Sequence, residues 1–236
     1  IVTEVDHLSE ALILEAIRAQ RPRDAILAEE TGAHDGHHGA ATSGRGRVWI
    51  VDPLDGTINY ANGVPYFAVS IAMVRDGRPA IGVVHDPVRG ETFAAASGGP
   101  AFLNGNRIES PGKERLGDYV VSLNITGRAA GRPNARVRRA VRAVRNMGSA
   151  ALALAYVGNG RFDGFVQSGG LSLWDIAAAG VIASSGGALV TDLGGGPWLR
   201  VDDGPSSISV LAAPPAGHAG FLALVRGDPG PRGSRP

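Results

Sequence analysis

The stretch that decides the fold is VWIVDPLDGTINY, residues 48–60. It begins with four consecutive apolar residues, 48–51, which is typical of a short buried strand. Two carboxylates follow, Asp52 and Asp55, separated by a Pro-Leu step. Pro53 has no N–H to donate and disfavours the helical conformation in the residue before it. We therefore predict that the strand ends at Asp52 and that the chain turns sharply there.

The two carboxylates of this turn indicate a cation site. After such a turn both side chains can point the same way, and two like charges that close are unfavourable unless a cation lies between them. Carboxylate oxygens are the ligands that hard divalent cations prefer. An Asx-type turn at the end of a strand also explains an isolated D-P-x-D. The choice between the two interpretations depends on the rest of the chain.

Composition limits the classes of function. With 236 residues the chain can form one large domain or two modest ones. Cysteine is absent, which excludes disulfides and thiolate metal sites and fits a cytoplasmic protein. The 23 basic and 22 acidic residues nearly balance, and no apolar run is long enough to cross a membrane, so we expect neither a nucleic-acid nor a membrane partner. Because the chain begins at Ile1 rather than Met, we expect that a leading segment is missing.

Periodicity divides the chain into two regions. A capping box from Thr3 to Asp6 precedes a helix whose apolar positions Leu8, Leu12 and Ala16 recur every four residues. After residue 60, alternating strands joined by Asp-Gly and Asn-Gly turns predict an antiparallel meander. Beyond residue 117 strands alternate with helices, one of them predicted over 136–145. We expect an N-terminal α+β region at 1–113, a C-terminal α/β region at 114–226 and a disordered tail at 227–236.

Three further positions carry polar groups in settings that suit a site. Glu29 follows a short apolar run, which the exposed end of a strand would also explain. Gly148 and Ser149 open a helix and could bind an anion there, although capping alone accounts for the serine. Asp175 opens a small-residue helix, where an aspartate is more often a cap than a ligand.

The segments AEET, WIVDPLDGTINY and LWDIAAAG, in this order, resemble the three metal-binding segments of the inositol monophosphatase family. The resemblance extends over nearly the whole chain. It implies a layered α/β/α/β/α sandwich and Mg²⁺-dependent hydrolysis of a phosphate monoester, inhibited by lithium, in a homodimer.

The resemblance also implies roles for individual residues. It places Glu29, Asp52 and the carbonyl of Leu54 on a first Mg²⁺, places Asp52, Asp55 and Asp175 on a second, and lets Glu29 reach a weaker third ion. Oxygen ligands without His or Cys suit this metal. Further implied roles are catalysis, with water activated by Thr57 and Asp6, and substrate binding by Gly56, Thr57, Gly148, Ser149, Gln167 and Asp175.

One segment departs from the family pattern. Typical members carry a Glu that bonds the polyol hydroxyls, whereas this chain has Gln167 and one extra residue before Trp174-Asp175, which also allows Ser168 to take that place. We expect a small phosphorylated polyol as substrate, with inositol 1-phosphate first. Fructose 1,6-bisphosphate, histidinol phosphate and 3′-phosphoadenosine compounds are the alternatives. A non-catalytic scaffold is disfavoured because no ligand carboxylate is lost, and a serine hydrolase because no G-x-S-x-G is present.

Overall fold

The computed structural model describes residues 1–34, 46–126, 130–201 and 208–228. Within these ranges the first sheet has eight strands. They are β1 (Ala25–Ala28), β2 (Gly32–His34), β3 (Arg47–Asp55), β4 (Ala68–Arg75), β5 (Arg78–Asp86), β6 (Glu91–Ala96), β7 (Ala101–Leu103) and β8 (Asn106–Ile108). Their order is β2-β1-β3-β4-β5-β6-β7-β8, antiparallel throughout except for the parallel pair β1 and β3. The predicted meander from β4 to β8 is confirmed.

The second sheet has five strands in the same described ranges. They are β9 (Val120–Ile125), β10 (Ala143–Arg145), β11 (Gly164–Leu171), β12 (Leu189–Thr191) and β13 (Ile208–Ala213). Their order is β10-β9-β11-β13-β12, with β9 parallel to both of its neighbours. Parallel neighbours end at the same edge of the sheet, so polar residues that follow β9 and β11 come close together.

Helices cover both sheets and separate them. They are α1 (Glu4–Gln20), α2 (Thr57–Ala61), α3 (Gly131–Ala140), α4 (Ala150–Gly158), α5 (Leu173–Ser185) and α6 (Pro215–Arg226). α1 packs on the outer face of the first sheet, α4 and α5 lie between the sheets, and α3 and α6 cover the second sheet. The resulting α/β/α/β/α layering is the one that the resemblance implies.

Small residues let α5 approach the first sheet closely. A Cβ atom placed at Gly82 on β5 would lie 2.2 Å from the carbonyl oxygen of Ala178 on α5. The alanines of this helix are fully buried for the same reason. One apolar core cluster therefore joins residues of both sheets through α4 and α5. The division into two regions at residue 113 stays a prediction, and residues 229–236 of the predicted tail lie outside the described part.

The predicted end of β3 at Asp52 is wrong, because the strand continues to Asp55. Asp52 pairs with Ser70 and Asp55 pairs with Ala68, so two residues of β3 lie opposite one residue of β4. Proline has no N–H to donate to the sheet ladder. In the bulge, Pro53 occupies a position where no such hydrogen bond is needed. The pairing thus survives the proline, and both aspartates stay on a paired strand.

The predicted helix at residue 4 onwards is confirmed, and its recurring apolar positions lie on the solvent side. Leu8 and Leu12 are exposed by 57% and 69%, and Ala16 is also exposed. The residues turned towards the sheet are Leu14 and Ile17, preceded on the same side by two acids. Burial of those acids is possible because backbone N–H groups donate to both, as described below, so the apolar repeat does not mark the buried face.

The predicted helix over 136–145 is also wrong in its bounds. α3 runs over Gly131–Ala140, and Val141 has an extended backbone. The N–H groups of Arg142 and Ala143 donate to the carbonyl of Tyr119, at 3.0 and 3.2 Å, which starts the parallel pairing of β10 with β9. A free sheet edge therefore overrides the helical pattern. None of the described helices is long and apolar enough to cross a bilayer.

Candidate active site

Asp52 and Asp55 converge at the bulge of β3. Asp52 is fully buried and Asp55 is exposed by 8%. Oδ1 of Asp52 accepts the N–H of Leu54 at 2.9 Å, which fixes the side chain over the turn. Its second oxygen, Oδ2, is buried and has no hydrogen-bond partner among the described residues. Burying a carboxylate oxygen without a partner is unfavourable in free energy, and a cation bound at this atom would compensate for it.

Asp175 joins them from the first turn of α5. Its Oδ2 accepts the N–H of Ser172 at 2.6 Å, in a capping box that orients the carboxylate. One ligand atom from each of Asp52, Asp55 and Asp175 lies within 4.8 Å of the others. The structure thus brings together three of the predicted metal ligands from two distant parts of the chain, and their oxygens fit a hard divalent cation such as Mg²⁺.

The charges in this cluster disfavour one another. Burial, followed by the charge of Asp55, raises the pKa of Asp175 to about 8. Burial also raises the pKa of Asp55 to about 6, although hydrogen bonds to the carboxylate oppose it. The pKa of Asp52 is raised well above its usual range by burial and by the charges of Asp55, Glu29 and Asp175. A bound divalent cation would hold all three ionised near neutral pH.

Glu29 lies beside this group at the end of β1. Its N–H donates to the carbonyl of Val51 at 3.1 Å, which places it next to β3. Burial raises the pKa of Glu29, and the neighbouring Asp52 side chain opposes this shift. Glu29 therefore borders the cluster of three carboxylates next to Asp52.

Thr57 and Asp6 are connected by a hydrogen bond. The hydroxyl of Thr57 lies 3.0 Å from Oδ1 of Asp6 and 3.0 Å from the carbonyl oxygen of Leu54, so one proton is shared between them. Oδ2 of Asp6 accepts the N–H of Thr3 at 2.9 Å within the capping box of α1. Asp6 is fully buried, so α1 delivers a fixed proton acceptor to the end of β3. The neighbouring Glu10 caps the β1–β2 turn by accepting the N–H groups of Glu30 and Thr31.

Gly56 allows the tight passage from β3 into α2. It caps α2 in the left-handed conformation, with φ of 96°. A Cβ atom here would lie 3.2 Å from the carbonyl oxygen of Tyr66 and 3.4 Å from that of Gly148. The turn that follows Asp55 and the start of α4 are thus in close contact through two glycines.

Ser149 binds Asp55, a role that the sequence did not predict. Ser149 is buried and its hydroxyl donates to Oδ2 of Asp55, which also accepts the N–H of Ala151 at 2.7 Å. The N–H of Ala150 lies 3.3 Å from Oδ1. The sequence suggested the N-terminus of α4 as an anion site. In the structure it binds the carboxylate of Asp55. Substrate contact by Gly148 and Ser149 stays a prediction.

A cleft of about 350 Å³ opens onto Asp55 and Asp175. Its wall includes the predicted residues Gly148, Ser149 and Gln167. It also includes polar residues that the sequence reasoning missed, namely Ser122, Asn124 and Asn146. The pairing of β9 with β11 sets Asn124 opposite Gln167, and a prediction of this pairing would have pointed to Asn124. The side chains of these three residues and of Gln167 make no hydrogen bond to any described residue, so they are available to a ligand.

β11 is irregular directly after Gln167. Its pairing with β13 is irregular between Gln167 and Leu171, where Gly169 and Gly170 have φ of 70° and 68°. Ser168 is turned towards Thr126, whose N–H donates to the serine hydroxyl at 3.2 Å. Of the two alignments considered, the geometry therefore favours Gln167 as the residue facing the cleft.

Asn59 is a further residue that the sequence reasoning missed. Its Nδ2 donates to the carbonyl of Tyr66 at 2.7 Å and to that of Met147 at 2.7 Å. A Cβ atom at Gly148 would lie 2.7 Å from this nitrogen. Asn59 therefore links α2 to the turn before α4 by hydrogen bonds. Its position directly after D-G-T-I is the sequence feature that could have indicated this role.

The model of the inositol monophosphatase family matches residues 1–227. The chain belongs to the inositol monophosphatase family. An inositol-1-monophosphatase of Mesorhizobium japonicum is 39% identical over 201 residues, which cover 83% of this chain and 73% of that protein. A fructose-1,6-bisphosphatase/inositol-1-monophosphatase of Thermotoga maritima is 41% identical over 199 residues, covering 83% and 72%. A protein of Haemophilus influenzae named Nus factor SuhB is 39% identical over 224 residues, covering 90% and 78%.

Solved inositol monophosphatase structures share the fold. The inositol monophosphatase of Anabaena superposes with a TM-score of 0.85 at 31% identity, covering 97% of this chain and 88% of that one. The acidic cluster described above is the kind of site that a metal-dependent phosphatase of this family requires. The chain is therefore a phosphatase of the inositol monophosphatase family with a site that can hold a metal.

Proposed function

We propose that this phosphatase uses Mg²⁺ to hydrolyse a small polyol phosphate, with inositol 1-phosphate as its first substrate. The observation that carries the proposal is the convergence of Asp52, Asp55 and Asp175, where one buried oxygen of Asp52 lacks a hydrogen-bond partner among the residues that the structure describes. Two Mg²⁺ ions held by these carboxylates, Glu29 and the Leu54 carbonyl, with a third ion near Glu29, would lower the pKa of a water and stabilise the leaving oxygen.

The chain's own residues then orient the reactants. The Thr57 hydroxyl contacts Asp6, which can take up a proton from a water held at Thr57. The backbone N–H groups of Gly56 and Thr57 lie at the start of α2 and suit phosphate oxygens. The water attacks phosphorus and the bond from phosphorus to the polyol oxygen breaks. The leaving oxygen takes up one proton from solvent and Asp6 returns its proton to solvent, so that inorganic phosphate and the free polyol are formed.

The polar wall of the cleft supports a polyol. Ser122, Asn124, Asn146 and Gln167 offer hydroxyl and amide groups with no other partner among the described residues. Such groups both donate and accept hydrogen bonds, as sugar hydroxyls require. Together with the named activities of the relatives, this supports a hydroxylated rather than an apolar substrate.

Fructose 1,6-bisphosphate is the second candidate, favoured by one observation. Gln167 lines the cleft where typical members carry a glutamate, so a second phosphate would meet an amide instead of a repelling carboxylate. The Thermotoga relative carries both activities in its name.

A phosphate-release screen with Mg²⁺ tests the proposal. It should compare inositol 1-phosphate, fructose 1,6-bisphosphate, histidinol phosphate and 3′-phosphoadenosine 5′-phosphate at matched concentrations. The highest kcat/KM should be for inositol 1-phosphate. No release from any of the four would overturn the proposed activity and favour a non-catalytic scaffold.

Lithium inhibition is part of the same proposal. A monovalent cation at the position formed by Asp52, Asp55 and Asp175 would compete with the second Mg²⁺. We expect lithium to reduce turnover while sodium at the same concentration does not. Equal effects of the two salts would show that this position differs from that of the relatives. A homodimer and a cytoplasmic location complete the proposal, and sedimentation of the purified protein tests the former.

A further inference from the structure

The near-neutral net charge conceals a strong asymmetry along the chain. Residues 119–162 contain eight of the 23 basic residues, all arginine, and none of the 22 acidic residues. The rest of the chain has 15 basic and 22 acidic residues. This distribution, rather than the total, determines the local electrostatic field.

Five of these arginines form what we call the arginine face. All five are exposed: Arg132, Arg138 and Arg139 lie on α3, Arg145 lies on β10, and Arg142 lies in the connection between the two elements. None of them forms an ion pair with a described residue. Arg136, by contrast, is used within the fold, because its Nε donates to the carbonyl of Leu224 at 2.8 Å.

Neighbouring elements do not neutralise this face. α3 packs against α6 and β9, and β10 pairs with β9. Neither α6 nor β9 contains an acidic residue. Five guanidinium groups therefore face solvent without a counter-charge from the elements that support them.

The composition of the face selects the class of partner. No large apolar side chain of residues 130–145 is exposed. This disfavours a protein partner, because a protein interface needs an apolar centre. It also disfavours a membrane surface, because a helix that lies in a membrane needs an apolar face to insert. A symmetric contact between two copies would set arginine against arginine. The planar guanidinium group binds phosphate oxygens through two parallel hydrogen bonds. From these observations we propose that the arginine face binds the phosphate backbone of nucleic acid.

The same face lacks what base recognition would need. Residues 130–145 contain no aromatic side chain on which an unpaired base could stack. Binding through phosphates alone carries no sequence information. Two duplexes of unrelated sequence should therefore bind with affinities within about twofold of each other.

Fluorescence anisotropy with a labelled DNA duplex of about 20 base pairs, titrated at several salt concentrations, tests the proposal. The test variant is Arg138→Gln/Arg139→Gln/Arg142→Gln. The matched control is Arg23→Gln/Arg75→Gln/Arg78→Gln, which removes three exposed arginines without an ion pair from another surface. Both variants should retain the melting temperature and the phosphate release of the parent.

We expect the test variant to bind at least about tenfold more weakly than the parent at low salt, with the slope of log K against log salt reduced by roughly 0.9 per arginine removed. The control variant should bind as the parent does. Equal weakening in both variants would reduce the effect to net charge and overturn the proposal, as would a parent that does not bind at low salt. Displacement by polyglutamate of matched charge as effective as that by unlabelled duplex would assign the face to an acidic protein instead.

Discussion

Asp52 is the residue on which the metal site depends most directly. One of its oxygens accepts the N–H of Leu54, and the other is buried and has no hydrogen-bond partner in the described part of the chain. We predict that Asp52→Asn abolishes phosphate release while the fold is retained, because the amide keeps the size and the bond to Leu54 but removes the charge. Phosphate release and the melting temperature without Mg²⁺ check this. Residual activity within tenfold of the parent, about 1.4 kcal/mol in the barrier, would argue against metal binding by Asp52.

Ser149 acts on the site through Asp55. Ser149→Ala removes the hydroxyl donor to Asp55 and the acceptor for the N–H of Leu152, which caps α4. We expect the Mg²⁺ concentration for half-maximal activity to rise, and stability to fall by about 1 kcal/mol as for other N-cap substitutions. Ser149→Thr is the control, since it retains the hydroxyl. Calorimetric titration of Mg²⁺ gives a second measure: unchanged Mg²⁺ affinity in Ser149→Ala would leave the residue with a capping role only.

At the scale of the element, the irregular part of β11 decides which side chain reaches the cleft. Gln167 lines the cleft, whereas Ser168 is bound to Thr126. A carboxylate accepts charge-assisted hydrogen bonds from vicinal hydroxyls more strongly than an amide does. We predict that Gln167→Glu raises kcat/KM for inositol 1-phosphate relative to glycerol 2-phosphate by roughly 1 kcal/mol.

The matched substitution one residue further tests the register of the same strand. Ser168→Glu should leave the ratio of the two substrates unchanged, because its side chain points away from the cleft. Steady-state kinetics on both substrates decide the question. If neither glutamate alters the ratio, this part of β11 does not contact the substrate, and if only Ser168→Glu does, the register in the bulge is different.

At the scale of the whole molecule, the acidic cluster makes folding depend on pH and on metal. Burial raises the pKa of Asp55 to about 6 and that of Asp175 to about 8, both from 3.8. From about pH 4 to about pH 8, these carboxyl groups bind more protons in the folded protein than in the unfolded chain. The stability of the metal-free protein should therefore fall as the pH rises over this range. Mg²⁺ bound to the ionised folded state should raise the melting temperature by mass action.

Thermal unfolding at several pH values, with EDTA and with Mg²⁺, checks this prediction. The stabilisation by Mg²⁺ should be larger at pH 8 than at pH 5, because protons compete with the metal at the lower pH. Asp52→Asn should show a smaller response to Mg²⁺ than the parent. A midpoint that is independent of Mg²⁺ at pH 8 would contradict the metal site altogether.

The sequence by itself was sufficient for the alternation of strands and helices and for a cation site at Asp52 and Asp55, which depend on local information. The layered α/β/α/β/α fold, the family and the place of Asp175 among the metal ligands came from the resemblance of three short segments to the inositol monophosphatase family. Hydrophobic periodicity and short motifs reflect interactions between residues that are close in the sequence. The capping box at Thr3 was of this kind.

Only the tertiary structure decided what depends on residues distant in sequence. The bulge that carries β3 past Pro53 exists because β4 supplies the pairing partners, and Val141 leaves the helix because β9 offers a free edge. Burial of Asp6 and Glu10 on α1 requires donors and partners that the periodicity of the helix does not reveal. The bond from Ser149 to Asp55 joins residues 94 positions apart. Such pairings are set by the packing of whole elements, because the energy of a buried polar group depends on which partner reaches it in space.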